Sequence, residues 1–106
     1  MINAQLKKGV LELCVLSLLA EQNRYGYELA EELARTLQVS SSAVYPILRR
    51  LAADENVTTY LQASTVGPQR KYYALTPQGI ETQRSLLEEW QELVCQVDAI
   101  TGGDKS

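Results

Sequence analysis

The sequence predicts a mainly helical fold completed by a two-stranded β-hairpin, in the order α-α-α-β-β-α. Apolar residues recur at helical spacing in four stretches, two short stretches alternate in character instead, and a Gly-Pro turn signal separates those two. A chain of 106 residues is expected to be one domain burying roughly two-thirds of the surface its unfolded form exposes. Hydrophobic residues at 45% and charged residues at 22% match ordinary globular usage, so a packed core is expected.

Val10, Leu11, Leu13, Cys14, Val15, Leu16, Leu18 and Leu19 are apolar nearly all round, the pattern of a helix enclosed by its neighbours. Lys7 and Lys8 ahead of this run mimic a secretory signal. Glu12 interrupts it, however, no small-x-small site follows Ala20, and the run is far short of the ~20 residues that span a bilayer. From Tyr25 to Leu37, Leu29, Leu33 and Leu37 form one face while Glu28, Glu31, Glu32 and Arg35 form the other, predicting an amphipathic second helix. Ser40, Ser41 and Ser42 supply cap hydroxyls for a third helix, with the cap expected at Ser41 or Ser42 and Val44, Ile47, Leu48 and Leu51 as the buried stripe. Pro46 then falls near the second turn, and a left-handed C-cap is expected at Asn56. Residues 57–62 and 70–75 read as strands joined by a polar loop carrying Gly67-Pro68. Thr76-Pro77 is an N-cap with proline in the first turn, opening a helix to about Ile100.

No histidine is present, which removes the usual general base and the commonest zinc ligand, so neither an enzyme nor a cofactor or metal site is expected. Cys14 and Cys95 lack a nearby partner and sit in apolar helical patterns, as reduced thiols packed like small hydrophobes in a cytoplasmic protein. The net charge of −3 is uneven: residues 40–75 are net positive, whereas residues from 76 onward carry Glu81, Glu88, Glu89, Glu92, Asp98 and Asp104 against Arg84 and Lys105. Three helices followed by a hairpin with a projecting loop is the order of a winged helix-turn-helix, whose third helix enters the major groove of DNA. The positive region is the one that would lie on DNA. The fourth helix carries two apolar rows, Leu86/Leu93/Ile100 and Leu87/Trp90/Val94/Val97, more than one chain can cover, so a homodimer is expected with Leu86, Leu87, Trp90, Leu93, Val94 and Val97 at its interface.

The residues that carry these features resemble the PadR-type transcriptional regulators, in particular the small subgroup with one C-terminal dimerisation helix. The similarity runs over nearly the whole chain through Leu11-Glu12-Leu13-Cys14-Val15-Leu16, Tyr25-Gly26-Tyr27-Glu28-Leu29, Val44 to Leu51 and Arg70-Lys71-Tyr72-Tyr73-Ala74-Leu75-Thr76. The resemblance implies a homodimeric cytoplasmic repressor of a pseudo-palindromic double-stranded operator, released by a small aromatic or otherwise hydrophobic compound. Two departures from the family pattern are Asn56, where glycine is usual, and Pro68-Gln69, where Gly-Arg is usual and a wing cation is therefore missing.

Helical geometry turns Tyr45 away from the buried stripe, and the family match assigns it to phosphate or a base edge. Arg49 and Arg50, one turn on, are the next DNA candidates, followed by whichever of Ser40, Ser41 and Ser42 are not capping. Arg70 and Lys71 lie on opposite faces of a strand but near a loop that can twist both toward DNA, and Lys7 and Lys8 are placed to reach flanking phosphates. By resemblance to small family members, Trp90 at the dimer centre would stack a flat aromatic effector. The expected organisation is a DNA-binding domain over residues 1–75, a dimerisation helix over 76–100 and a flexible tail over 101–106. The competing function is a winged-helix protein-interaction module without DNA binding, which the acidic composition favours.

Overall fold

In the computed structural model, residues 4–102 are described, apart from the side chains of residues 4–6, 8 and 9. Helix α1 (Ala4–Glu21) is the central element: Leu11, Val15, Leu16 and Leu19 are buried, and Cys14 and Leu18 pack half-buried against the same core. Helix α2 (Gly26–Leu37) contributes Leu29, Ala30 and Leu33, and helix α3 (Val44–Ala53) contributes Val44, Ile47, Leu48 and Leu51. Each fully buried side chain of this kind is worth about 1.5–3 kcal/mol relative to exposure, and these stripes decide how the three helices pack.

The small sheet has a third strand that the alternation does not reveal. Arg24–Tyr25 forms β1, antiparallel to β3 (Arg70–Leu75), which pairs on its other side with β2 (Val57–Gln62). The periodicity assigns Arg24 to the break and Tyr25 to the second helix, because two residues are too few for a period-two pattern. Arg24 anchors this strand, donating from Nη1 to Glu32 (2.8 Å), from Nη2 to Glu21 (2.7 Å) and from Nε to the Leu18 carbonyl (3.3 Å). The last bond satisfies one of the carbonyls that the end of α1 leaves unpaired. Next in sequence, Gly26 is required by close approach: a Cβ there would lie 2.7 Å from Cε1 of buried Tyr73.

The serine cap is displaced from its expected place. Ser40 caps a 3-10 turn over Ser41–Ala43, accepting from the Ser42 N–H at 3.3 Å, and α3 continues from Val44. Pro46 is therefore the third residue of α3, where the missing N–H has no helical acceptor to lose. Likewise the left-handed residue after α3 is Glu55 (φ 64°), not Asn56. Asn56 is buried instead, at 6% exposure, and its side chain explains why it is not glycine: Oδ1 accepts from Gln78 Nε2 (3.1 Å) and Thr82 Oγ1 (2.8 Å).

That knot fixes the start of helix α4 (Pro77–Thr101). Its cap Thr76 accepts from the Gly79 N–H (3.0 Å), donates from Oγ1 to the Glu55 carbonyl (2.7 Å) and donates its N–H to the Asn56 carbonyl (3.1 Å). Gln83 then donates to Ser17 on α1 (3.1 Å) and Leu86 leans on the core. Beyond Leu86 nearly every side chain of α4 is exposed. The helix ends one residue later than expected, with Gly102 in the left-handed cap; residues 103–106 of the expected tail lie outside the described residues. No helix among the described residues is long and apolar enough to cross a membrane.

The two cysteines differ. Cys14 packs on the core and burial pushes its thiol pKa up, whereas Cys95 is exposed rather than packed, about 160° round the helix from Val97. A thiol reagent at neutral pH should therefore label Cys95 quickly in the native protein and Cys14 only slowly until denaturant is added. Equal native rates, measured by mass spectrometry, would contradict this placement.

Candidate nucleic-acid interface

The first two turns from Ser41 onward leave Ser42, Tyr45 and Arg49 at spacings of three and four, which is one face of a helix. The opposite face is the buried stripe, so the packing of α3 decides which side chains point outward. Ser42 and Arg49 are exposed, and Ser42 Oγ lies 2.7 Å from Ser40 Oγ. Tyr45 departs from the expectation that it turns away from the buried stripe: it is half-buried and packs against the core, because it sits at the edge of the stripe rather than opposite it. Desolvation raises its phenol pKa, the Glu31 carboxylate raises it further, and Tyr27, Tyr25 and Tyr73 add to the shift. It is therefore a neutral hydroxyl at neutral pH, able to donate to a phosphate or a base acceptor.

Arg50 is exposed but not idle. Its Nη2 lies 3.6 Å from Glu12 Oε2 on α1, a surface pair worth no more than about 1 kcal/mol that a phosphate can displace. Arg49 has no ion pair among the described residues. At the wing, Arg70 and Lys71 are both exposed and lie on opposite faces of β3: the Arg70 guanidinium carbon stands 5.0 Å from the Tyr25 ring centre, and Lys71 Nζ stands 5.7 Å from that of Tyr73.

Lys7 corrects the sequence reading. It is buried at 7% exposure and its Nζ donates to the Gln38 carbonyl (3.4 Å), where α2 ends in a left-handed residue with φ 57°. It ties α1 to α2 inside the domain, which is incompatible with an outward reach to phosphate. The Lys8 side chain lies outside the described residues. Ser40 is committed to its cap, leaving Ser41 half-buried and Ser42 exposed.

Among the proposed interface residues of α4, Leu86 is taken up by the chain's own core. The others stand out in solvent in the single chain: Trp90 is 42% exposed, Leu93 50%, Val97 46%, and Leu87 and Val94 36% each. An open cavity of about 530 Å³ lies elsewhere, between the start of α2, β1 and Tyr72, and Trp90 does not line it.

A row of four tyrosines is not evident from the periodicity of the sequence. Tyr27, Tyr25, Tyr72 and Tyr60 follow one another with ring centres 6.0, 5.9 and 5.5 Å apart, the last pair stacked at 18°. The available signal is the pair of tyrosines flanking Gly26, which reads as helix until β1 is recognised.

The model of the transcriptional regulator PadR-like family matches residues 15–85. A crystal structure of a PadR-like transcriptional regulator from Bacillus cereus is 34% identical, with a TM-score of 0.81 over 92% of this chain and 96% of that one. A Streptococcus transcriptional regulator is 35% identical, with a TM-score of 0.82 over 92% and 97%. Bacillus subtilis PadR, whose structure was determined in complex with operator DNA, shares the fold at 24% identity and a TM-score of 0.65, over 74% of this chain and 46% of that one.

Proposed function

The chain belongs to the PadR-like family of transcriptional regulators, and from that premise we propose that it is a homodimer binding a pseudo-palindromic double-stranded operator through α3 and the wing. The observation that carries the reading is the surface formed by the 3-10 turn and α3 opposite the buried stripe, where Ser42 and Arg49 are exposed and the half-buried Tyr45 lies between them. Residues 1–75 form the DNA-binding part and α4 the dimerisation part. Two copies related by a two-fold axis would set their α3 helices in successive major grooves, about 34 Å apart. Arg49, Arg70 and Lys71 meet DNA in each copy, Arg50 does so by exchanging Glu12 for a phosphate, and the excess acidic charge of α4 stays away from the backbone.

Arg49→Ala combined with Tyr45→Phe tests this, since Phe keeps the ring packed on the core and removes only the hydroxyl. Operator affinity should fall by about 1–3 kcal/mol for each hydrogen-bonded base that the variant no longer reads, with unchanged thermal unfolding. A folded double variant of undiminished affinity would remove α3 from the reading role.

The finer proposal is repression relieved by a flat aromatic effector stacked on Trp90 at the dimer centre. A ligand releases DNA only if it binds better to the dimer geometry that misplaces the two α3 helices. Trp90 is the only tryptophan, so its fluorescence reports directly on planar aromatic compounds. Quenching should saturate, and Trp90→Ala should abolish effector-dependent release; a dimeric Ala variant that still responds with equal affinity places the effector elsewhere.

A further inference from the structure

We infer that Tyr25 is a positioning residue for Arg70, holding the wing-root guanidinium in place for a phosphate before DNA arrives; this rests on the DNA-binding reading above. Alternation along β3 puts Arg70 and Tyr72 on one face, and the register sets Tyr72 between Tyr25 of β1 and Tyr60 of β2. Three strands thus contribute one ring each to a row, Tyr60 stacked on Tyr72 and Tyr25 tilted against it by 30°. Its far end is tied by Asn23, whose Nδ2 donates to the Tyr60 hydroxyl at 3.2 Å. Arg70 lies over the Tyr25 end, 5.0 Å from the ring centre.

The charges point the same way. Arg24, Arg50 and Arg84 each have a carboxylate partner, whereas Arg70, like Arg35 and Arg49, has none among the described residues, and of these three Arg70 is the one set against an aromatic ring. A guanidinium lying on a ring is held through its face, while its N–H groups project in its own plane and remain available for a bidentate bond to phosphate. A carboxylate in place of the ring would have occupied those same N–H groups. Tyr25 therefore restricts the cation without neutralising it, and the pairing of β1 with β3 brings that ring beside Arg70.

The test is a double-mutant cycle on the full chain, using fluorescence anisotropy with duplex DNA from upstream of its own gene. Arg70→Ala should weaken binding and lower the slope of log K against log salt by about 0.9 for each phosphate that is no longer neutralised. Tyr25→Leu should weaken binding about three- to tenfold by itself, yet cause no further loss in the Arg70→Ala background. Tyr25→Phe should bind like the native chain, because the ring face is kept. A merely structural tyrosine would give equal losses from Tyr25→Leu in both backgrounds, and that additivity would overturn the inference while leaving the DNA reading intact. So would an Arg70→Ala variant of native affinity. Absence of binding by the native chain at every salt concentration would overturn the DNA reading and this inference together.

Discussion

Leu93→Asp together with Val97→Asp is expected to leave a monomer that binds operator DNA on the order of 10²- to 10⁴-fold more weakly. The size follows from linkage: the second recognition helix binds at a high effective concentration only while the first is attached to it, and that advantage disappears with the dimer. Both side chains lie on the outer part of α4, past Leu86, where they are exposed and take no part in the core. The core built by α1, α2 and α3 should therefore survive their replacement. Two carboxylates placed on each copy at a two-fold seam would face their counterparts and be desolvated, which costs several kcal/mol per buried ion. Sedimentation velocity should show the mass of one chain, with helical circular dichroism reduced only by fraying of α4. A variant that remains dimeric would move the interface off this face.

Gly79→Ala should be strongly destabilising. The new Cβ would collide with the carbonyl oxygen of Asn56 and lie 3.0 Å from its carbonyl carbon, and both are backbone atoms held by the Thr76 N–H bond. Because backbone cannot swing aside as a side chain does, either α4 lifts away or the turn after α3 shifts. We expect a loss of about 3 kcal/mol or more. At roughly 4–8 °C per kcal/mol for a domain of this size, Tm at fixed protein concentration should fall by roughly 12–24 °C. Alanine is the better helix former, so propensity alone would predict a small gain; a Tm equal to or above the native one would refute the packing argument.

The parts of this fold that are legible in the sequence are those where periodicity runs long. The α3 stripe is buried in full and Leu29 and Leu33 of α2 are buried as the spacing selects, whereas of the α1 run only Leu11, Val15, Leu16 and Leu19 are fully buried, one face rather than an enclosed helix. Features decided by one or two residues are not legible in this way. A two-residue strand has no alternation to read, so β1 and with it the tyrosine stack stay hidden. Any of three consecutive serines satisfies a cap by chemistry, and only the backbone turn selects Ser40. Asn56 suggests tolerance of positive φ, whereas its burial beneath α4 depends on partners 22 and 26 residues away. Lys7 looks like a solvent-facing terminal cation for the same reason: its acceptor on Gln38 is 31 residues distant. For Cys95, an apolar neighbourhood in sequence is no guide to which side of α4 it occupies.

The most direct test of the central claim is titration of the native chain against a duplex from upstream of its own gene and against an unrelated duplex of equal length, over a series of salt concentrations. The stoichiometry is read in the same samples by sedimentation. Two chains per duplex, a clear preference for the upstream sequence, and log K falling linearly with log salt are expected. No binding at any salt concentration, or binding with equal affinity to both duplexes, would contradict that claim and leave the winged helix as a protein-interaction module.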